Sequence, residues 1–485
     1  MGAKIDDLRG IKVHPHKVEL FLSSASTRRV FKLLLNRRPG EDSYIEKIAR
    51  RYCGEKGLFG TLEQRLMYPL FYLLMEVARI GFFKVDREFI REQIFNQPLY
   101  LKVIPLVLES VAELGLTRPQ NFVSPLLVVW NFTNACNLKC KHCYQDATRK
   151  LPTELSLEER LDVVDQLDEM KVPFLAFSGG EPLMDKEIWK VAEYAKQKGI
   201  WLALATNGTL ITKKVAQQIK EVGIDYVEIS VDSADPQRHD QFRGVPGYWE
   251  RAVRGIKNCV EVGLSVGLAA TFSQFNFEEL DDLYQLAVEL NVDKFYLFNF
   301  IPTGRAKQIA NWDPSPQQRE QMLKRMHSFM LEEKLSVLTT APQFSRACMQ
   351  AAPEGPLPTS HYNLGIGLSA KYIARYVGGC GAGRVYCALQ PDGKVTPCVF
   401  IGDLVVGDIR NQSFKEIWRN SEVLNALRDR DNLKENCHSC QFRDFCGGCR
   451  ARAWNYFRDI TGPDPGCIYN NEFWKKAKVQ EKESN

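Results

Sequence analysis

From position 125 onward the apolar residues fall into short β-rich runs separated by helical stretches. The runs are 126–132, 174–178, 200–206, 226–231, 264–271 and 294–301, with helical periodicity near 156–170, 185–198, 212–222, 248–262 and 277–290. This alternation predicts right-handed βαβ units around a parallel sheet, an α/β fold. Six strands suit either a partial (β/α)6 barrel or an open doubly wound sheet, and periodicity does not choose between them. Ahead of the alternation, from Thr61 to about Gly115, the pattern is helical and apolar, with the runs 66–75 and 103–108. The segment Ser26–Arg38 reads as a capped, basic, amphipathic helix stopped by Pro39 and Gly40. Behind the last strand come a helical pattern at 316–334 and a Pro/Gly-rich loop at 353–358. The expected layout is a helical domain over 1–118, an α/β domain over 119–305, a connector over 306–379 and a cysteine-rich module over 380–485.

Composition adds two facts. At 485 residues, 45% hydrophobic and 25% charged, the chain is ordinary for a globular protein. A net charge of +5 is too small to mark a nucleic-acid binder, and no nucleic-acid partner is expected. The charge is uneven: residues 1–53 hold twelve Lys/Arg against six Asp/Glu, a local +6. A basic amphipathic segment of this kind suits an acidic ligand or peripheral contact with an anionic membrane, or a plain helical cap on the neighbouring domain. The second fact is fourteen cysteines without an apolar signal stretch after Met1 or a long apolar run elsewhere. A cytoplasmic location follows as the expectation, and there cysteines serve as metal ligands, redox groups or buried thiols rather than disulfides.

Two constellations carry chemistry. Cys136, Cys140 and Cys143 follow the first strand directly, at the carboxyl end where parallel α/β sheets bind ligands. Three thiolates at these gaps can hold a [4Fe–4S] cube with one iron left open. A zinc loop completed by His142 is the alternative, as is chance. The second constellation is Cys380, Cys387, Cys398, Cys437, Cys440, Cys446, Cys449 and Cys467. Eight cysteines are two sets of four; the competing reading is a zinc ribbon on Cys437, Cys440, Cys446 and Cys449, for which five intervening residues are few. Cys53, Cys259 and Cys348 remain over and read as buried structural thiols.

The Cys-x3-Cys-x2-Cys loop resembles the signature of the radical S-adenosylmethionine superfamily, and further motifs agree in order. Ser178-Gly179-Gly180-Glu181-Pro182 resembles the family's glycine-rich motif at the second strand end, with Glu181 as the acidic group expected near the cofactor's amino group. Asn207 in Thr206-Asn207-Gly208 ends the third strand; Ser230 and Asp232 end the fourth and resemble residues that face the ribose; Arg243 resembles an arginine that meets the cofactor carboxylate. The resemblance favours a partial (β/α)6 barrel and implies S-adenosylmethionine chemistry, with His142 beside the cofactor. An open cube reduces the cofactor to methionine and a 5′-deoxyadenosyl radical, which abstracts hydrogen from an unactivated C–H bond. An electron donor such as a ferredoxin or flavodoxin is implied as a partner.

The C-terminal cysteines resemble the SPASM module, which implies two auxiliary [4Fe–4S] clusters and three in all. By that analogy Cys380, Cys398, Cys449 and Cys467 hold one cube and Cys387, Cys437, Cys440 and Cys446 the other. The x2 gap between Cys446 and Cys449 departs from the commoner x3 and leaves this partition open. Sulfatase-maturating relatives carry an acidic base after the equivalent of Cys398; Val399 stands here, which disfavours their reaction. Peptide-modifying relatives often begin with a winged leader-binding domain, whereas residues 1–118 read as helical. A bulky hydrophobic non-peptide substrate, an isoprenoid membrane lipid or a tetrapyrrole, is therefore expected. A peptide or protein side-chain maturase is the runner-up, and a non-catalytic cluster or zinc protein the third reading.

Overall fold

The computed structural model describes residues 15–36, 42–59, 62–80, 86–353, 355–359 and 363–484. Seven parallel strands run in chain order through one sheet: β1 (Leu127–Thr133), β2 (Phe174–Gly179), β3 (Trp201–Thr206), β4 (Tyr226–Ser230), β5 (Ser265–Phe272), β6 (Lys294–Asn299) and β7 (Ser336–Thr339). A separate hairpin pairs β8 (Pro356–Pro358) with β9 (Asn363–Ile366). The main sheet continues on the other side of β1 through β10 (Tyr386–Leu389), β11 (Lys394–Thr396) and β12 (Gly407–Asp408). β10 lies parallel to β1, with Leu127 opposite Tyr386 and Trp130 opposite Leu389. The cysteine-rich module therefore shares the sheet of the barrel.

Period-two alternation explains how this sheet makes both a core and a cavity. Val128, Trp130, Leu175, Phe177, Leu202, Leu204, Val227 and Ile229 are fully buried and pack in the main core. Their neighbours Val129, Ala176, Ala203, Ala205, Glu228 and Ser230 line the opposite, inner face. Small residues at the middle and carboxyl ends of β2 and β3 (Ala176, Ser178, Ala203, Ala205) leave space there, while Phe174, Trp201 and Tyr226 stand at the strand starts.

The α/β partial barrel is as expected, with one unit more than six. β7 falls in the segment taken as a connector, behind helix Pro316–Leu331. Its four residues follow Glu332-Glu333-Lys334, and so short a run gives no readable alternation.

Within the described residues before 119 the regular elements are helical, closed by Pro98–Leu114. The basic helix spans Ala25–Leu34 and is capped by Ser24, whose side chain accepts from Thr27 N; this is two residues ahead of the expected cap. Residues 37–40 of the expected segment lie outside the described residues. Phe31, Leu34, Ile45, Ile48, Phe71 and Val111 form the local core. Arg28 donates to the carbonyls of Ala112 and Glu113 at the end of helix Pro98–Leu114, where a cation meets the negative end of the helix dipole. That cation is thus held within the cap. Lys171–Glu46 (2.6 Å) and Lys102–Asp168 (2.5 Å) fasten the cap to the barrel. Among the described residues no helix is long and apolar enough to cross a membrane.

Candidate active site

The loop after β1 is clamped by backbone contacts from the segments that follow β2, β4 and β6. Gly180 N donates to Thr133 O and Glu181 N to Ala135 O, both at 2.7 Å. Lys141 N donates to Phe242 O at 3.1 Å, and Arg305 N to Cys143 O at 3.0 Å. The Arg305 guanidinium adds a bond from Nε to Cys140 O at 3.0 Å. The approach is so close that a Cβ on Gly180 would lie 2.2 Å from Ala135 O. Gly304, at φ +56°, would place one 2.5 Å from Cys143 O. Glycine is required at both, the first for clearance and the second also for its left-handed backbone.

Held this way, Cys136, Cys140 and Cys143 line one cavity of about 2070 Å³, together with His142, Gly179, Gly180, Asn207, Ser230 and Arg243. Nine of the twelve residues expected at the cofactor thus meet on one wall. Pro182 opens a short 3-10 turn behind the glycines. Glu181 and Asp232, also expected at the cofactor, stand just behind this lining and hold residues of it in place. Both side chains are fully buried. The Glu181 carboxylate accepts from Thr206 Oγ1 (2.7 Å), Asn207 N (2.8 Å) and Leu183 N (3.2 Å), fixing the turn after β3. Asp232 accepts from Arg243 Nε (2.6 Å) and Thr271 N (2.8 Å). Arg243 is aimed in turn at Cys140, with Nη1 3.7 Å from Sγ. The Asp232 carboxylate keeps the guanidinium charged, so a fixed positive group stands beside a cluster thiol.

Burial sets the remaining protonation states. It pushes the Cys136 thiol up to about 12 and raises Cys140, which the Arg243 charge opposes. Thiols so reluctant to ionise become thiolates when a metal takes the proton's place. His142 is pulled down to about 3 by burial and stays neutral. Its ring stacks on Phe242 at 4.1 Å, and its buried Nδ1 has no hydrogen-bond partner among the described residues. Two residues not foreseen at the site are Arg305 and Tyr144, whose hydroxyl bonds Asn131 and Ser178 at 2.9 Å. The tyrosine's position directly after Cys143 was the available signal.

The C-terminal cysteines divide by contact into groups that spacing did not reveal. Cys398 lies within electrostatic reach of Cys380 and Cys449, and these three line the same cavity as the first loop. Cys446 lies within reach of Cys467 and Cys437, and Cys440 is three residues from Cys437 in the chain. Cys387 joins neither group. Its side chain is fully buried in the main core on β10, opposite Val128. The structure thus places Cys467 beside Cys446 and Cys437, and Cys387 among core residues, an arrangement that differs from the grouping implied by the SPASM resemblance. The physical reason is strand alternation: the side chain next to Tyr386, which faces the cavity, must point the other way. Cys259 and Cys348 are buried as expected, and Cys53 is half-buried.

The donor sets fit iron–sulfur clusters. All fourteen cysteines are free thiols. Among the described residues no three His, Cys, Asp or Glu side chains converge on a single-ion position, and a cube, whose thiolates each take a separate iron, does not ask for that.

Sequence comparison agrees with this geometry. The radical SAM superfamily model matches residues 130–287, and the iron–sulfur cluster-binding SPASM domain model matches residues 380–441. The chain belongs to the radical SAM superfamily and carries a C-terminal SPASM domain; it is an enzyme of S-adenosylmethionine and iron–sulfur chemistry. It is 34% identical over 348 residues to the AdoMet-dependent heme synthase of Methanosarcina barkeri, covering 71% of this chain and 97% of that one. It is 30% identical over 351 residues to the mycofactocin maturase MftC of Mycobacterium tuberculosis, covering 71% and 83%. In fold it resembles Streptococcus suis SuiB bound to its precursor peptide SuiA, at TM-score 0.61 and 17% identity over 87% of this chain and 93% of that one.

Proposed function

We propose that the enzyme oxidises a carboxylate-bearing tetrapyrrole by abstracting hydrogen from one of its unactivated C–H bonds. The observation that carries this reading is the similarity to a heme synthase along 97% of that protein's length. The cavity is consistent with it: the space that Cys136, Cys140 and Cys143 line is bordered also by Phe298, Ile301 and Phe400, apolar surface suited to a macrocycle.

When bound, S-adenosylmethionine and the cube on Cys136, Cys140 and Cys143 supply a 5′-deoxyadenosyl radical. The chain supplies placement and dryness. Gly180 and Gly304 let two loops close on the cysteine loop, so the three thiols are held by backbone. Arg243, anchored by Asp232, gives a fixed cation for a carboxylate at the cavity wall. Phe298, Phe400, Ile301 and Leu138 present apolar surface to the same space. Val399 also lines it, leaving no acid or base at the position after Cys398. The thiols Cys380, Cys398 and Cys449 hold an auxiliary cube against the cavity, and Cys437, Cys440, Cys446 and Cys467 hold a third cube. A ferredoxin or flavodoxin serves as the reductant.

The similarity to the maturase MftC, with the likeness in fold to SuiB bound to a precursor peptide, favours a second reading, a maturase acting on a peptide. Anaerobic incubation of the reduced holoenzyme with S-adenosylmethionine and either iron-loaded tetrapyrroles or candidate peptides separates the two. Mass spectrometry should find 5′-deoxyadenosine and an oxidised product with the tetrapyrrole. Turnover with peptides alone overturns the reading.

A further inference from the structure

The three cysteines on the cavity side have a fourth polar neighbour. Tyr386 is the first residue of β10 and lines the cavity with Cys380, Cys398 and Cys449. Its hydroxyl is aimed at Cys398 Sγ as a hydrogen-bond donor. The backbone makes this aim rigid: Tyr386 N donates to Gly381 O at 3.1 Å, and Gly383 N donates to Tyr386 O at 2.9 Å. On the other side the residue is in register with Leu127 of β1. The strand that joins the module to the barrel thus also delivers a hydroxyl to a cluster sulfur.

The second set has donors of other kinds. Arg450 Nη2 and Asn470 Nδ2 reach Cys437 Sγ at 3.9 and 3.7 Å, and Gly448 N reaches Cys446 Sγ at 3.3 Å. The O–H···S contact belongs to the cavity-side set.

We propose that Tyr386 is the residue that tunes the cavity-side auxiliary cube: its hydroxyl donates to the Cys398 thiolate and raises that cube's reduction potential. Reduction adds negative charge to a cube, and a donor on a ligand sulfur stabilises the reduced form more than the oxidised one. A cube so tuned, standing against the substrate space, is suited to take up the electron that a net oxidation releases. No bond is made or broken by the tyrosine itself. The inference rests on the reading that Cys380, Cys398 and Cys449 hold a cube.

The test is an EPR-monitored redox titration of the reconstituted holoenzyme and of Tyr386→Phe, with iron and sulfide measured on both. Phenylalanine keeps the ring against Gly381 and removes one oxygen. One reduction wave should move to more negative potential while the other two stay, at equal iron content. Pulsed EPR of the reduced wild-type enzyme should also show an exchangeable proton coupled to that cube, lost in Tyr386→Phe. If no wave moves, the proposal is wrong. If the variant loses about four irons, it is also wrong, because the tyrosine is then a ligand or a structural support. If the wild-type enzyme itself holds far fewer than about twelve irons, the three-cube reading has failed instead.

Discussion

The loop after β1 and the C-terminal module both gather cysteines, but different forces place them. In the loop, three thiols lie within eight residues, and their geometry comes from short backbone contacts to Gly180, Glu181, Phe242 and Arg305. In the module, seven thiols come from a span of 88 residues, 380 to 467, and long-range packing brings them together. Cys380 N donates to Cys446 O at 2.9 Å, and Arg430 Nη2 donates to Cys380 O at 2.8 Å. Arg452 donates to Asn299 (2.8 Å) and Phe300 O (2.7 Å) and pairs with Asp313 and Asp464, all buried. Spacing therefore suffices to read the first site, whereas the second depends on the fold.

The sharpest break in this contrast is Gly180→Ala. Its Cβ would strike Ala135 O, so the cysteine loop must shift, and a misplacement on the order of 1 Å costs about 100-fold in rate. 5′-Deoxyadenosine formation should fall by at least that much, measured by chromatography. Gly402→Ala in the module meets nothing within 4 Å and should change stability by less than about 0.5 kcal/mol.

Next in size is the pair Cys467→Ala and Cys387→Ala. The first should lose about four irons, one cube. The second should keep full iron and lose only about 1 kcal/mol of core packing in a denaturation curve. Equal iron losses would favour the partition that the SPASM resemblance implied.

Arg452→Ala leaves Asp313 and Asp464 short of a buried partner, and a cost of about 3–5 kcal/mol is expected in anaerobic unfolding. A change below 1 kcal/mol would mean that this network does not fasten the module to the barrel.

The smallest effect concerns Glu228 on the inner face of β4. Burial raises its carboxyl from the ordinary 4.5 to about 7, against the pull of Lys294. The folded protein thus binds the proton more tightly than the unfolded chain, so this contribution is full below 4.5 and is lost as pH rises to 7. Melting temperature should decline more steeply over about pH 5.5–7 in the wild type than in Glu228→Gln.

Much of the barrel was legible because its strands alternate with helices and its motifs sit at strand ends. The glycine motif and Arg243 could be placed by likeness alone. β7 was not legible, since four residues carry no period. The hydrogen bonds of Glu181 to the turn after β3 and of Asp232 to Arg243 were not legible, because a motif does not show which way a carboxylate turns. The direction of Cys387 was not legible either: Tyr386 takes the cavity face of β10 and sends its neighbour into the core. The basic segment suited a lipid surface, an acidic ligand or plain cap packing alike; only the fold shows that its Arg28 bonds a helix end within the cap.

The separation of catalytic and auxiliary thiols is tested most directly by Cys140→Ala, with iron, sulfide and 5′-deoxyadenosine measured on the same preparation. The account predicts no 5′-deoxyadenosine and about eight irons retained in the two auxiliary cubes. Unchanged cofactor cleavage, or zinc without sulfide in the wild-type enzyme, would contradict it.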